Sequence, residues 1–124
     1  MLTRIDTAAA PGAVGPYSQA MATGNLVFAS GQLPIDPATK AMPDDVREQA
    51  AQSLRNVRAI LEAAGTGLDK VLKATVYLAD IKDFPAVNEV YATFFSAPFP
   101  ARSCFAVAAL PLGAKVEVEV VAVR

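Results

Sequence analysis

The chain has 124 residues, 53% of them hydrophobic and 19% charged, with a net charge of −1 at pH 7. This length predicts a single domain over residues 1–124 that builds a core without disulfides or a structural metal. With no histidine and a single cysteine, Cys104, the usual zinc sites, histidine-based catalysis and intramolecular disulfides are excluded. A pI near 5.3 and scattered basic residues exclude a phosphate-binding stripe.

The N-terminal third predicts strands and turns rather than a membrane anchor. Residues 7–35 carry no charge, but prolines and glycines interrupt them throughout. Residues 17–22 and 26–30 are strand candidates around a Thr-Gly-Asn turn, and residues 36–40 form a loop. Without a signal peptide pattern, and with one unpaired cysteine, we expect a cytoplasmic protein.

The clearest element is a helix over residues 46–64. Its apolar residues recur every three or four positions and predict one buried stripe. Asp45 followed by Glu48 is a capping-box pattern, and Gly65 is well placed to end the helix. The apolar stripe contains Val46, Ala50, Leu54, Val57, Leu61 and Ala64.

The second half predicts a strand, a helix and two more strands. Residues 71–78 alternate as a half-buried strand, and Asp83 can cap a helix with Phe84, Val87, Tyr91 and Phe94 on its packed side. Residues 102–108 and 115–123 follow as strands. The order β-β-α-β-α-β-β predicts an α+β fold, a mixed sheet with two helices packed on one face. The other face must meet something, and a neighbouring subunit is the simplest candidate.

Candidate chemistry lies on the last two strands. Glu117 and Glu119 share one face of their strand, and Arg102 and Cys104 share one face of theirs. If the two strands form a hairpin in an odd-sum register, all four side chains lie on a common surface. There an arginine fork could bind a substrate carboxylate, and a glutamate could orient water or move protons. The alternative is a cross-strand Arg–Glu pair on a solvated face.

Other candidate residues each have a structural interpretation. No histidine or helix N-terminus is present to activate Cys104, which favours a buried structural cysteine. Asn88 on the second helix is expected to be exposed. Residues 15–17 and 30–32 have the composition of turns and bulges. Solvated surface is expected for Arg47, Arg55 and Arg58.

Five segments together resemble one known family. They lie in order along essentially the whole chain: GPYSQA at 15–20, FASGQLP at 28–34, NEVY at 88–91, FPARSC at 99–104 and VEVE at 116–119. In sequence and spacing they resemble the RidA family (reactive intermediate deaminase A, also called YjgF or L-PSP). The resemblance implies a chorismate-mutase-like fold and a homotrimer with sites in the clefts between subunits.

The resemblance also implies an activity that needs no metal or organic cofactor. This activity is the hydrolysis of 2-imino acids such as 2-iminobutanoate and 2-iminopropanoate (2-aminoacrylate) to 2-keto acids and ammonia. Arg102 would hold the substrate carboxylate, Glu117 would position water or relay a proton, and Tyr17 would close the pocket from the adjacent subunit. Four further residues would line the pocket: Ser30, Gly31, Asn88 and Cys104. Cys104 would contribute mainly its backbone and part of the wall.

Two departures from the family pattern stand out. Lys40-Ala41 occupy a turn where relatives usually carry Gly-Glu, and the segment 96–100 is shorter than in many relatives. Neither departure touches Arg102 or Glu117, but the second lies near the predicted cleft and could alter substrate preference.

Three other functions stay open at this point. The chain could be a trimeric small-carboxylate-binding or regulatory member of the family, a translation inhibitor or endoribonuclease, or a holdase chaperone. The acidic pI and the absence of histidine argue against RNA cleavage.

Overall fold

The computed structural model describes residues 1–124 as one sheet with two helices packed on one of its faces. The helices are α1 (Val46–Ala63) and α2 (Phe84–Phe94). No helix in the chain combines the length and the apolar character that a membrane crossing requires. The strands are β1 (Leu2–Ile5), β2 (Ala20–Thr23), β3 (Leu26–Gln32), β4 (Val71–Leu78), β5 (Ala101–Ala106) and β6 (Val116–Val123).

Local signals fix both ends of α1 as predicted. At its start the Asp45 carboxylate accepts a hydrogen bond from the Glu48 N–H at 3.1 Å. At its end Gly65 takes the left-handed conformation (φ 83°), where its N–H donates to the Glu62 carbonyl and the Thr66 N–H donates to the Leu61 carbonyl. This pair of bonds closes the helix, because it satisfies carbonyls that have no partner within it.

The stripe of α1 is buried as predicted apart from Val46, which is half-buried, and Leu54, Val57 and Leu61 are at 1% exposure or less. The helix also buries side chains that the apolar pattern did not predict. These are polar and lie beside the stripe: Gln49, Gln52, Ser53 and Asn56. Since an unpaired polar group in the core is destabilising, their partners matter.

The predicted cap of α2 is wrong. Asp83 makes no side-chain hydrogen bond to the helix, because a 3₁₀ turn at Ile81–Asp83 runs directly into it. The Asp80 carboxylate instead accepts from the Lys82 N–H at 2.9 Å, at the start of that turn. The packed side is as predicted, with Val87 and Tyr91 buried.

The sheet has the strand order β1-β2-β3-β6-β4-β5, in which only β4 and β5 are parallel. This mixed sheet with two helices confirms the α+β class. β1 was not predicted, because its four residues bury only Ile5 and show no alternation. It forms the outer edge and pairs with β2.

The predicted hairpin of the last two strands is also wrong. β6 lies between β3 and β4, whereas β5 follows α2 as a parallel crossover and pairs only with β4, at the sheet edge. Burial accounts for the central position of β6 and the edge position of β5. The inward residues of β6, from Val116 to Ala122, are at most 2% exposed, whereas no residue of β5 is buried. The more apolar strand takes the central position.

The register overturns the common surface predicted for Arg102, Cys104, Glu117 and Glu119. Arg102 lies opposite Ala74, which lies opposite Val120, and both of these neighbours are buried under the helices. Glu117 lies opposite Tyr77 and therefore points to the other face. Arg102 and Cys104 face the helices, and the two glutamates occupy the helix-free face.

Candidate active site

The Arg102 guanidinium is held by one face of α2. Its Nη1 donates to the Asn88 Oδ1 at 2.8 Å, and its Cζ lies 4.8 Å from the centre of the Tyr91 ring and 5.5 Å from that of Phe84. These three partners are four and three residues apart along α2 and so share one face. Cation–π contacts of this kind contribute about 0.5–2 kcal/mol each. The charge is therefore oriented before any ligand arrives.

No carboxylate of the chain pairs with Arg102, since the ion pairs are Arg47–Glu89 and Lys82–Asp80. The guanidinium opens into a depression of about 390 Å³ whose other walls include Phe99 and Pro100. An exposed, oriented guanidinium without a protein counter-ion is well suited to bind an anion such as a carboxylate.

Cys104 lies on the same face as Arg102, opposite the buried Val76. Burial raises the pKa of the Cys104 thiol, and the Arg102 charge lowers it by less. The thiol is thus kept protonated, which favours a structural role, but Cys104 is half-buried rather than buried as predicted. Burial likewise raises the pKa of Tyr91, whose hydroxyl has no hydrogen-bond partner.

On the opposite face, the Glu117 carboxylate packs against the backbone of Gly31. A Cβ placed at Gly31 would lie 2.5 Å from Oε2 and 2.9 Å from Cδ of Glu117, so a side chain at this position would displace the carboxylate. The pairing of β3 with β6 shifts between Ala29 and Gln32, which confirms the predicted bulge. The bulge brings the glycine backbone against the acid.

The pKa of the Glu117 carboxyl group is raised above its ordinary value. Burial raises its pKa, and the neighbouring charge of Glu119 raises that pKa further. Glu119 has its own partner, because it accepts a hydrogen bond from the Tyr77 hydroxyl. That bond, together with burial, raises the pKa of Tyr77 to about 12. The helix-free face therefore carries two acids, of which Glu117 has no hydrogen-bond donor within the chain.

A cavity of about 640 Å³ opens beside Glu117. Ser30 and Gly31 line it on the strand side, and Tyr17 lines it from the segment before β2. Its remaining walls are largely apolar and include Val14, Leu33, Ile35, Pro111 and Leu112. The cavity therefore combines one protonatable acid with space for an aliphatic group.

Two side chains hold the Tyr17 segment in place. The Ser30 hydroxyl donates to the Ser18 carbonyl at 2.6 Å, so its proton is already engaged. Gln19, 2% exposed, donates to the carbonyls of Thr7, Ala10 and Pro11 and accepts from the Thr7 N–H. The sequence gives no signal for this role of Gln19, because a glutamine is usually solvated and residues 17–22 were predicted as a strand, whereas β2 begins only at Ala20.

The predicted site residues thus fall into two groups on opposite faces of the sheet. The Glu117 group contains Tyr17, Ser30, Gly31 and Glu117, and the Arg102 group contains Asn88 and Arg102 with Cys104 nearby. Asn88 is exposed as expected, but it orients Arg102 rather than only facing solvent. The strands of Arg102 and Glu117 are two positions apart, about 10 Å.

Comparison with known proteins places the chain in a family. A sequence model described as Endoribonuclease L-PSP matches residues 7–124. The chain belongs to this family. The resemblance to the RidA (L-PSP) family inferred from the five sequence segments is therefore confirmed.

Individual relatives are similar over their whole length. The RutC family protein y4sK of Sinorhizobium fredii is 57% identical over 98% of this chain and 97% of that protein. A 2-iminobutanoate/2-iminopropanoate deaminase of Salmonella typhimurium is 50% identical over 100% of this chain and 99% of that protein. The crystal structure of E. coli TdcF with bound serine superposes with a TM-score of 0.94, at 46% identity and 98% coverage of both chains.

Proposed function

We propose that this protein hydrolyses 2-imino acids, such as 2-iminobutanoate and 2-iminopropanoate, to 2-keto acids and ammonia. The names of relatives near 50% identity support this activity over the carboxylate-binding, ribonuclease and chaperone alternatives. The observation that carries the proposal is the pair of groups it needs: an oriented guanidinium without a counter-ion, and a carboxylate whose pKa is raised.

The proposal requires two copies of the chain to form each site. Arg102 and Glu117 are on opposite faces of one sheet, so a small substrate cannot touch both within one protomer. We propose a homotrimer in which Arg102 of one copy and Glu117 of its neighbour face the same cleft, with Tyr17 supplied beside Glu117. The half-exposed side chains of Phe28 and Phe105 on the helix-free face support its burial against another copy.

Within such a cleft, each group has a defined step. Arg102 binds the substrate carboxylate and orients the iminium carbon. Water attacks that carbon and gives one proton to the Glu117 carboxylate, while the C=N π electrons move to nitrogen and form a neutral amine. Glu117 returns the proton to this amine, the C–N bond breaks, and the hydroxyl proton leaves with ammonia as ammonium. The products are a 2-keto acid and ammonium, which balances the iminium and water consumed.

Turnover of freshly generated substrate tests this function. A pyridoxal-phosphate-dependent dehydratase generates 2-iminobutanoate from threonine, and the rate of 2-ketobutanoate release is followed with and without the purified protein. We expect the wild-type protein to accelerate release and Glu117→Gln to accelerate it far less. If the wild type leaves the rate unchanged while still binding serine in calorimetry, the protein is a carboxylate-binding module and not a deaminase.

A further inference from the structure

Helix α1 buries a line of polar side chains that no step of the proposed reaction uses. Asn56 is 1% exposed and Gln52 is 8% exposed, and they lie four residues apart on one face of the helix. Amides buried at this depth are destabilising unless they are hydrogen-bonded, so their partners indicate what they do.

Their hydrogen bonds run in a single direction, from solvent to the chain segment after β3. Arg55 Nη2 donates to Gln52 Oε1 at 2.9 Å, and Gln52 Nε2 donates to Asn56 Oδ1 at 2.9 Å. Asn56 Nδ2 then donates to the Leu33 carbonyl at 3.1 Å and to the Ile35 carbonyl at 2.9 Å. We call Arg55, Gln52 and Asn56 the amide relay. Because each bond polarises the next and a cation lies at one end, the bonds strengthen one another.

The segment that receives this relay forms a wall of the Glu117 cavity. Leu33 and Ile35 line the cavity, and Pro34 between them is fully buried. One amide group thus fixes two carbonyls two residues apart, on either side of the buried proline. Such a bond pair determines both the position and the tilt of the wall, since neither carbonyl can rotate away without losing its partner.

We infer that the amide relay positions Leu33 and Ile35 and thereby sets the selectivity of the site for the length of the substrate's aliphatic side chain. The inference rests on the proposed function, and it makes Asn56 and Gln52 positioning residues that do not touch substrate. One methylene more or less in an apolar pocket changes kcat/KM by about 10–200-fold at most, so a small displacement of the wall is measurable.

Asn56→Leu is the decisive variant, because it keeps the bulk of the side chain and leaves both carbonyls unpaired. We expect the ratio of kcat/KM for 2-iminobutanoate to that for 2-iminopropanoate to change by about fivefold or more. Gln52→Leu should change the ratio in the same direction by less, and Arg55→Ala by the least. The matched control is Ser53→Ala on the same buried surface, where the hydroxyl has no partner and the ratio should stay as in the wild type.

Amide hydrogen exchange supplies a second readout that is independent of activity. In Asn56→Leu, the backbone amides of Leu33, Ile35 and Asp36 should exchange faster, whereas those of residues 26–29, which pair with β6, should not change. If Asn56→Leu does not fold, Gln52→Leu carries both measurements.

The possible failures are distinguishable. A variant with a lower melting temperature but an unchanged selectivity ratio and unchanged amide exchange at Leu33, Ile35 and Asp36 has lost only stability, and this result overturns the inference. A wild type that turns over neither substrate overturns the proposed function, and the selectivity claim with it. Retained turnover with an altered ratio supports both.

Discussion

The Arg102 group and the Glu117 group differ in how the fold prepares them. The guanidinium is oriented by side chains, two aromatic rings and an amide from one face of α2. The carboxylate is placed by the absence of a side chain, since it occupies the space beside Gly31 at a bulge of β3. The Arg102 guanidinium is fixed by side-chain contacts on a helix, and the Glu117 carboxylate occupies the space that a side chain at Gly31 would take.

This difference separates two requirements of the proposed reaction. A cation that binds a carboxylate needs rigidity and must keep its charge, which rings and an amide provide without neutralising it. An acid that exchanges protons needs a raised pKa, which burial and a like charge provide. Because the two groups lie on opposite faces of the sheet, they form no ion pair with each other within one chain.

Removal of the Arg102 cation is expected to have the largest effect on the proposed activity. Arg102→Ala should lower kcat/KM for 2-iminobutanoate by about 10²–10³-fold, since a charged anchor for the substrate carboxylate is lost. Arg58→Ala is the matched control, because Arg58 also lies 5.5 Å from an aromatic ring centre, that of Phe94, but outside both groups. Equal losses in the two variants would contradict the assignment of Arg102.

A side chain at Gly31 tests whether the space beside Glu117 is required for activity. Gly31→Ala should lower kcat by about 10–100-fold, because the new Cβ displaces the carboxylate and misplaced catalytic groups cost rates of this order. Gly12→Ala is the control within the same cavity, since a Cβ there meets nothing within 4 Å. A Gly31→Ala enzyme with wild-type kcat would show that the close approach has no catalytic value.

The charge of Glu119 affects the titration of the neighbouring Glu117. Glu119 raises the pKa of Glu117, so Glu119→Gln should lower that pKa. Because Glu117 accepts a proton from water only when ionised, the acid limb of the kcat/KM profile should move to lower pH. The glutamine can still accept the Tyr77 hydrogen bond. In the control Glu62→Gln, which changes an exposed residue, the acid limb should not move. If the acid limb of Glu119→Gln does not move either, the limb does not report the titration of Glu117.

The smallest predicted effect lies in a loop outside both groups. Lys40 has a left-handed conformation (φ 63°), which is unfavourable for a residue with a side chain. Lys40→Gly should raise the free energy of unfolding by about 0.5–1 kcal/mol and leave turnover unchanged, as measured by urea denaturation. Ala38→Gly in the same loop should be slightly destabilising, and a gain there equal to that at Lys40 would refute the strain argument.

Sequence alone predicted the elements whose signals are local. Asp45 and Gly65 mark the ends of α1 within one turn, and the alternation over residues 71–78 gives β4 its observed bounds. The pairing of β5 and β6 could not be predicted from local signals. The same residues could form a β5–β6 hairpin or pair with strands distant in sequence, as β5 does with β4 and β6 with β3 and β4. The prediction that Arg102 shares a face with Glu117 failed for that reason.

The buried polar residues of α1 were also not predicted from the sequence. Asn56 and Gln52 look like solvated helix positions in the sequence, and their partners are backbone carbonyls that carry no sequence signal. Arg55, expected on the solvated surface, is exposed but also donates to Gln52. The candidate residues themselves came from motifs, whereas their division between two faces is visible only in the fold.

Mixing two inactive variants tests most directly whether each site is shared between copies. Arg102→Ala and Glu117→Gln chains are unfolded together, refolded as mixed oligomers and assayed for deamination. If one copy supplies Arg102 and the next supplies Glu117, random assembly leaves about a quarter of the sites with both groups intact, and activity returns. Mixed oligomers that stay as inactive as either variant alone would contradict a shared site.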